Sequence, residues 1–247
     1  MTTFLRDTAT VFSREFKPVV REPVGLLFEM GQPLLFLFLF GSQLDGAVGS
    51  SWQWFVPGIL VMMCLTGPMG AGYTLLVELI GGSMERMLVT PLNRTAMLVG
   101  RTVKAMVVLL AQAVLIILLA LPLGFDLHVA GVLAGLVQLI VFSVGLGALS
   151  FVLAIKSAPS GTLFYVVSQS VLFPLLLLSG VLLPMETAPA WLRGLGYVNP
   201  VTYIVDAQRA LFAGNLTSPS ILYGTAAACA IAAIGLYLGN RAMRQGV

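Results

Sequence analysis

Six charged side chains, Glu78, Glu85, Arg86, Arg94, Arg101 and Lys104, crowd into one stretch of a chain in which only 9% of residues are charged. The stretch opens as ELIGGSMERMLVTPLNR, from Glu78 to Arg94, and lies between two long apolar runs. Charge at that density is too costly for hydrocarbon, so the island must lie in water or against another protein. Met84, Met87 and Leu88 beside Glu85 and Arg86 offer apolar knobs together with orienting charge. The alternative is a plain solvated loop.

Other reactive groups are scarce. His128 is the single histidine and stands beside Asp126, so it is read as a solvated loop residue, and no His-based metal site or Ser–His dyad is expected. No GxxxxGK[ST] phosphate loop occurs, which removes that device for cradling ATP. Acidic residues within apolar stretches reduce to Glu29, with Glu78 at an edge. Coupling to protons or sodium normally uses intramembrane ionisable groups, so a secondary transporter is disfavoured and Glu29 is read as an interface residue. Uncharged polar side chains remain: Gln32, Thr66, Tyr73, Gln112, Gln138, Tyr165, Ser168, Gln169 and Ser170. Of these, Gln32, Thr66, Tyr73, Tyr165, Ser168 and Gln169 are the candidates for a cargo path, and their neutral, amide-bearing and aromatic character suits a hydrophobic or amphipathic cargo. Interhelical hydrogen bonding is the competing use of the Ser168-Gln169-Ser170 cluster.

The elements that position these residues follow from composition. With 58% hydrophobic residues and a mean hydropathy of +0.99, the chain lacks ordinary surface chemistry. Residues 46–77, 105–125, 129–155, 157–185 and 210–240 contain no Asp, Glu, Lys or Arg. Each exceeds the roughly 20 residues a membrane-spanning helix needs. A weaker span covers residues 25–44, giving an all-α polytopic protein with six transmembrane helices in one domain, residues 1–247. Within it, residues 1–22 form a cytoplasmic interfacial segment and residues 25–247 a six-span bundle.

Eleven of the thirteen basic residues fall on one side of that arrangement, against Arg193 and Arg209 on the other. The positive-inside rule then places both termini and the charged island in the cytoplasm of a cell that carries the protein in its inner (plasma) membrane. Trp52, Trp54 and Phe55 stand where an outer aromatic belt belongs. The net charge of +3 reports this topology, and no nucleic-acid partner is inferred. Cys64 and Cys229 both fall within spans, which argues against a disulfide. No cleavable signal peptide is expected, and the sequons at Asn93 and Asn215 are read as chance matches.

Residues 2–17 pattern as an amphipathic helix, with Phe4, Leu5, Thr8, Val11, Phe12 and Phe16 near one face, and Pro18 and Pro23 are expected to break it. Such a helix lies most simply in the inner-leaflet interface, in contact with membrane lipids. The run Gly67–Gly72 and Pro57 should kink or thin the second span. GxxxG spacings at Gly131/Gly135 and Gly235/Gly239 favour close intramolecular packing. Between the fifth and sixth spans, Pro184–Gly214 is too polar to span and too apolar for a free loop. Val201, Ile204, Val205, Leu211 and Phe212 share a helical face there, and Asp206 can pair with Arg209 three positions on. One or two short outer, re-entrant helices are expected.

This layout resembles the membrane subunits of type-2 ATP-binding cassette exporters, the daunorubicin-resistance and nodulation-type permeases. The resemblance covers essentially the whole chain. Its most specific parts are ERMLVTPLNR (Glu85–Arg94) with Gly100-Arg101, and PMETAPAWL with NPVTYIVDAQR (Pro184–Arg209). Arg21-Glu-Pro23 and Pro33 add to it. The resemblance implies that Gly82, Ser83, Met84, Glu85, Arg86, Met87 and Leu88 form a coupling helix docking into a separate ATPase. It further implies an N-terminal helix that also meets the ATPase, a pathway between two paired permeases, and first, second and fifth spans near the centre. Pro184, Asn199, Pro200, Asp206 and Arg209 would belong to an outer gate. One departure is plain: Leu79-Ile-Gly-Gly-Ser-Met precedes Glu85, where the family often carries a more charged approach with Gly-Thr.

The resulting reading is a permease subunit of an ATP-driven exporter, without bond chemistry or a cofactor of its own. It would work as a homodimer or heterodimer with two copies of a cytoplasmic ATPase that binds ATP and magnesium. The competing classes are a membrane sensor that merely anchors an ATPase, and a lipid-trafficking or secondary transporter.

Overall fold

The computed structural model describes residues 2–43, 51–82, 94–182, 184, 185 and 188–245. Among them lie nine α-helices: α1 (Thr2–Arg21), α2 (Pro23–Gln43), α3 (Ser51–Ile80), α4 (Arg94–Ala120), α5 (Val129–Ser157), α6 (Thr162–Leu178), α7 (Ala190–Val198), α8 (Pro200–Phe212) and α9 (Pro219–Gln245). A single 3-10 turn, Leu121–Leu123, follows α4, and no strand occurs among the described residues.

Among the described residues, five helices are long and apolar enough to cross a membrane: α2, α3, α4, α5 and α9. The sequence leads one to expect a sixth of equal length over residues 157–185, but α6 is a shorter apolar helix of 17 residues. Its ends explain the difference. Gly161 and Gly180 both adopt positive φ, near +72° and +73°, so the chain turns at each and the helix occupies only the middle of the charge-free interval.

A second correction concerns Pro18, which the sequence suggests as a break. The helix α1 continues through it to Arg21. Proline removes only its own N–H, and near the end of a helix that deletes one bond without cutting the ladder; the Glu22 N–H still donates to the Pro18 carbonyl at 2.8 Å. Pro57 and Pro68 likewise lie inside a continuous α3.

Helix α3 is central, with 61% of its apolar window buried, against 22% for α2 and 17% for α9. The contacts fix direction. Cys64 lies by Leu139 and Gly72 by Ser150, so α3 and α5 run parallel. Gln138 reaches Thr225 and Gly145 meets Gly235, so α9 runs parallel to both. Tyr73 faces Tyr165, Ser168 faces Met69 and Gly58 faces Val181, so α6 runs opposite. The Glu15 and Glu78 contacts of Arg101 bring α1 and the start of α4 to the Ile80 end of α3. The last turns of α9 approach that same end.

Hydrocarbon offers no hydrophobic drive between helices, so close approach of small residues must hold them. Each GxxxG pair serves that purpose. Gly131 receives the Leu211 carbonyl, Gly135 the Phe212 ring, Gly235 the backbone of Gly145, and Gly239 the Ala148 methyl. A side chain at Gly72, Gly131 or Gly235 would collide with backbone or with Ser150. The largest fully buried side chains, Phe55, Phe142 and Phe212, fill the space between α3, α5 and α8.

Candidate functional site

Helices α2, α3 and α4 line a partly open cavity of about 370 Å³. Each helix contributes one face at helical spacing. Glu29, Gln32 and Pro33 come from α2; Thr66, Gly67, Gly70, Tyr73 and Thr74 from α3; Lys104, Val108 and Gln112 from α4. Ser143 of α5, only 4% exposed, closes the inside. Gln112 Nε2 donates to Glu29 Oε2 at 3.5 Å, joining α4 to α2 across the space. Thr66 Oγ1 donates back to the Met62 carbonyl at 3.1 Å, and Thr74 Oγ1 to that of Gly70 at 3.1 Å, so both hydroxyls are held in place.

The glycines of α3 divide by face. A Cβ added at Gly72 would strike Ser150, whereas one added at Gly67 or Gly70 would meet nothing within 4 Å. Gly72 therefore serves packing, while Gly67 and Gly70 leave room in the cavity.

Three sequence-derived cargo-path candidates, Gln32, Thr66 and Tyr73, line this one space. The other three lie on α6. Tyr165 meets Tyr73 edge-on with centroids 5.9 Å apart, and Ser168 approaches the Met69 sulfur at 3.9 Å. Gln169 is exposed on α6 and is not among the cavity's lining residues. Sequence reasoning missed Lys104 as a lining residue, because its charge assigned it to the polar island. Its spacing of eight from Gln112 was the available signal.

At the Ile80 end, Arg101 is 6% exposed and joins three helices. It forms a close ion pair with Glu78 of α3 and a second with Glu15 of α1 at 3.5 Å. One turn away, Val11 seats α1 against Gly100. Val11, Leu75, Leu76, Met97, Phe151, Ala154 and Phe164 make a second apolar cluster there, apart from the main core. Glu78 and Arg101 were legible as members of the island but not as partners. Gly82 ends α3 with φ near +67°, its N–H reaching the Leu79 carbonyl at 3.4 Å. Ser83, Met84, Glu85, Arg86, Met87 and Leu88 lie outside the described residues.

At the Trp54 end, the residues singled out as an outer gate anchor α8. The Arg209 guanidinium lies 3.5 Å above the Trp54 ring and donates to the Gly180 carbonyl at 2.7 Å. Asp206 meets Arg209 at 4.0 Å, the outer limit of an ion pair, and is more than half exposed. Asn199 caps α8 by accepting from the Val201 N–H at 3.0 Å while donating to the Leu175 carbonyl at 2.8 Å. Pro200 opens the helix, where its missing N–H costs nothing. Pro184 stands half-buried ahead of α7. Gln53, not foreseen, binds the Phe212 carbonyl at 2.7 Å and the Asp126 N–H at 3.0 Å, tying α3 to both neighbouring turns.

Residues 6–213 match the family described as ABC-2 type transporter. The chain belongs to the ABC-2 type transporter family. It is thus the membrane permease subunit of an ABC exporter, a role into which its apolar helices fit. Among the relatives of this ABC-2 permease is the daunorubicin resistance ABC transporter permease DrrB1 of Streptomyces coeruleorubidus. It is 29% identical over 203 residues, covering 78% of this chain and 70% of that one. The ycf38 protein of Cyanophora paradoxa, described as a transport permease, is 28% identical over 218 residues, or 85% of this chain and 75% of its own. YbhR of Escherichia coli (strain K12), described as a multidrug ABC transporter permease, is 28% identical over 164 residues, 65% of this chain and 44% of YbhR.

Proposed function

We propose that this ABC-2 permease crosses the membrane six times as a single domain and moves a hydrophobic or amphipathic cargo, driven by a separate ATPase. The observation carrying the cargo reading is the cavity between α2, α3 and α4, which combines polar groups with Met62, Met63, Val108 and Leu109. Support for a sixth crossing comes from α6 with its terminal turn. It runs beside α3 from Ile80, next to Gly161, to Gly58, next to Val181. That stretch of α3 is about 33 Å long at the helical rise, the thickness of a hydrocarbon core.

In this reading both termini and the Ile80 end face the cytoplasm of the cell membrane, α1 lies in the inner interface, and α7 and α8 form the outer re-entrant segment. Two permeases pair, as a homodimer or heterodimer, and two ATPase copies dock beneath them. ATP and magnesium bind on those partners; the permease chain carries no phosphate loop and contributes no bond chemistry. Residues 82–88 receive the ATPase. The Arg101 cluster then passes displacement from α3 to α1 and α4. The ATPase biases an equilibrium between two access states rather than forcing a unique path. The membrane-sensor alternative lacks any use for the cavity.

The test is docking. Glu85→Arg places like charge beside Arg86 and should weaken retention of the ATPase by roughly 1–3 kcal/mol. Insertion should remain normal, and Asn93→Ala serves as the neighbouring control. ATPase recovery and transport are measured together; full recovery with full transport in Glu85→Arg would remove support for the coupling segment.

A further inference from the structure

Helix α1 presents three faces at helical spacing. On the first, Val11 seats against Gly100 and Glu15 pairs with Arg101, so this face packs on the start of α4. The second carries Leu5, Phe12, Phe16 and Val20. Phe12 and Phe16 stack with centroids 5.2 Å apart and are half-buried, whereas Leu5 is 67% and Val20 64% exposed. The third carries Arg6, Lys17 and Arg21, all exposed, along an open groove that also takes in Arg14 and the short side chains of Ala9, Thr10 and Ser13. Among the described residues, none of Arg6, Lys17 and Arg21 is in an ion pair. Of the acids on or beside α1, Glu15 is held by Arg101, Asp7 is half-buried, and Glu22 borders the groove.

The order of the faces decides what the cations meet. At about 100° per residue, the apolar face lies roughly 100° round from the face on α4, and the basic face about 120° beyond it. An exposed apolar strip beside a basic one marks a helix lying in a membrane interface, its apolar side chains at the acyl boundary. With Leu5, Phe12, Phe16 and Val20 turned that way, the basic face points sideways, away from α4 and at a slant toward water. That is the level of the lipid head groups, and the long stems of Arg6, Lys17 and Arg21 let their charges settle there. An acidic surface on a soluble partner would answer the cations but leave Leu5 and Val20 in water.

We propose that the Arg6–Lys17–Arg21 face of α1 binds the head groups of anionic phospholipids in the leaflet that meets the Ile80 end. Charge selects the lipid, and the apolar face beside it holds the helix at the depth where that selection operates. The proposal deepens the interfacial placement of α1 given above and takes from that reading only which leaflet is the inner one. Glu15 joins α1 to Arg101, and Arg101 joins Glu78, so the bound lipids act on a helix tied to both α3 and α4. Binding itself needs neither ATP nor the ATPase.

The experiment uses the full chain in phosphatidylcholine nanodiscs without nucleotide or ATPase. A small fluorophore is placed on Ala9→Cys, between the apolar and basic faces, in a background without Cys64 and Cys229. Its quenching is compared for phosphatidylglycerol and phosphatidylcholine, each carrying a nitroxide near the head of the acyl chain. Phosphatidylglycerol should be enriched at the label about fivefold, the effect of one basic side chain near a lipid surface. Molar salt should remove most of the enrichment by screening. Lys17→Glu, at the centre of the basic face, should bring the two lipids close to equality. Arg241→Glu, an exposed cation on α9 at the same end of the molecule, should keep the enrichment. Equal quenching by the two lipids, or quenching by neither, would overturn the proposal, as would an enrichment indifferent to Lys17→Glu. Equal loss in Lys17→Glu and Arg241→Glu would trace the effect to overall charge and overturn it as well. Loss of the ATPase from Lys17→Glu with lipid enrichment intact would assign this face to a protein contact instead. Both leaflets of the nanodisc carry the same lipids, so enrichment is read whichever way the permease faces; an inverted topology would change the leaflet and leave the binding face intact.

Discussion

Arg101 holds two carboxylates with one guanidinium, and a planar fork of five donors suits that task as a lysine ammonium does not. With Arg101 gone, Glu15 and Glu78 would face each other with like charge in a largely buried setting. Arg101→Ala should therefore destabilise the folded permease by about 3 kcal/mol. Arg101→Lys should lose part of that, and adding Glu15→Gln and Glu78→Gln to Arg101→Ala should recover part. Thermal unfolding of the purified protein reads the series; an Arg101→Ala variant melting like wild type would deny the cluster any structural hold. At this scale the sequence was readable where a polar group broke an apolar pattern. Gln32, Thr66 and Tyr73 stood out for that reason, and they share a cavity. Gly67, Gly70 and Gly72 look alike in sequence. Only the position of α5 separates the glycine that admits Ser150 from the two that leave space. Lys104 and Arg101 were both visible as charges, but three residues along α4 turn one toward the cavity and the other toward α1 and α3.

Between helices, a buried amide chain joins α5, α8 and α9. Gln208 Nε2 donates to the Gly135 carbonyl at 3.0 Å and to Gln138 Oε1 at 2.7 Å, while Gln138 Nε2 donates to Thr225 Oγ1 at 3.1 Å. Gln208 is fully buried, and its Oε1 has no hydrogen-bond partner. Gln208→Leu should cost about 1–3 kcal/mol, because Gln138 loses its donor in a dry setting. The double variant Gln138→Leu/Gln208→Leu should cost less than the two single effects added, since neither amide is then left facing an apolar side chain. Melting of the three variants supplies the cycle, and strict additivity would show that the amides act separately. Charge-free intervals located α3, α4, α5 and α9 because charge avoids apolar helices whatever the tertiary fold. They overran α6, whose limits are set by glycine turns at Gly161 and Gly180 rather than by polarity. The helical period after Pro200 anticipated α8, and its apolar residues Val201, Ile204, Val205, Leu211 and Phe212 are buried. What anchors it, the stacking of Arg209 on Trp54 across more than 150 residues of sequence, depends on tertiary contact alone.

Across the whole molecule, the Ile80 end gathers α1, the start of α4 and the close of α9, while the Trp54 end gathers α7 and α8. That polarity gives the basic-residue asymmetry of the sequence a physical frame: Arg6, Arg14, Lys17 and Arg21 lie on α1, and Arg241 on the last turns of α9. In the orientation proposed above this end faces the cytoplasm, the side on which the positive-inside rule expects such an excess. Ala188 stands just before α7, and Ser83 follows the turn that closes α3. Single cysteines at these two positions, in a background without Cys64 and Cys229, should therefore report opposite sides. An impermeant thiol reagent applied to intact cells should label the Ala188→Cys protein and leave Ser83→Cys untouched until the membrane is opened. Removing Cys64, which is buried against α5, is the riskier background change, so folded yield is checked first. Labelling of both sites in intact cells would put the two ends on one side and dismantle the six-crossing arrangement. Labelling of Ser83→Cys alone would invert it, and would place the Glu85 region beyond the reach of a cytoplasmic ATPase.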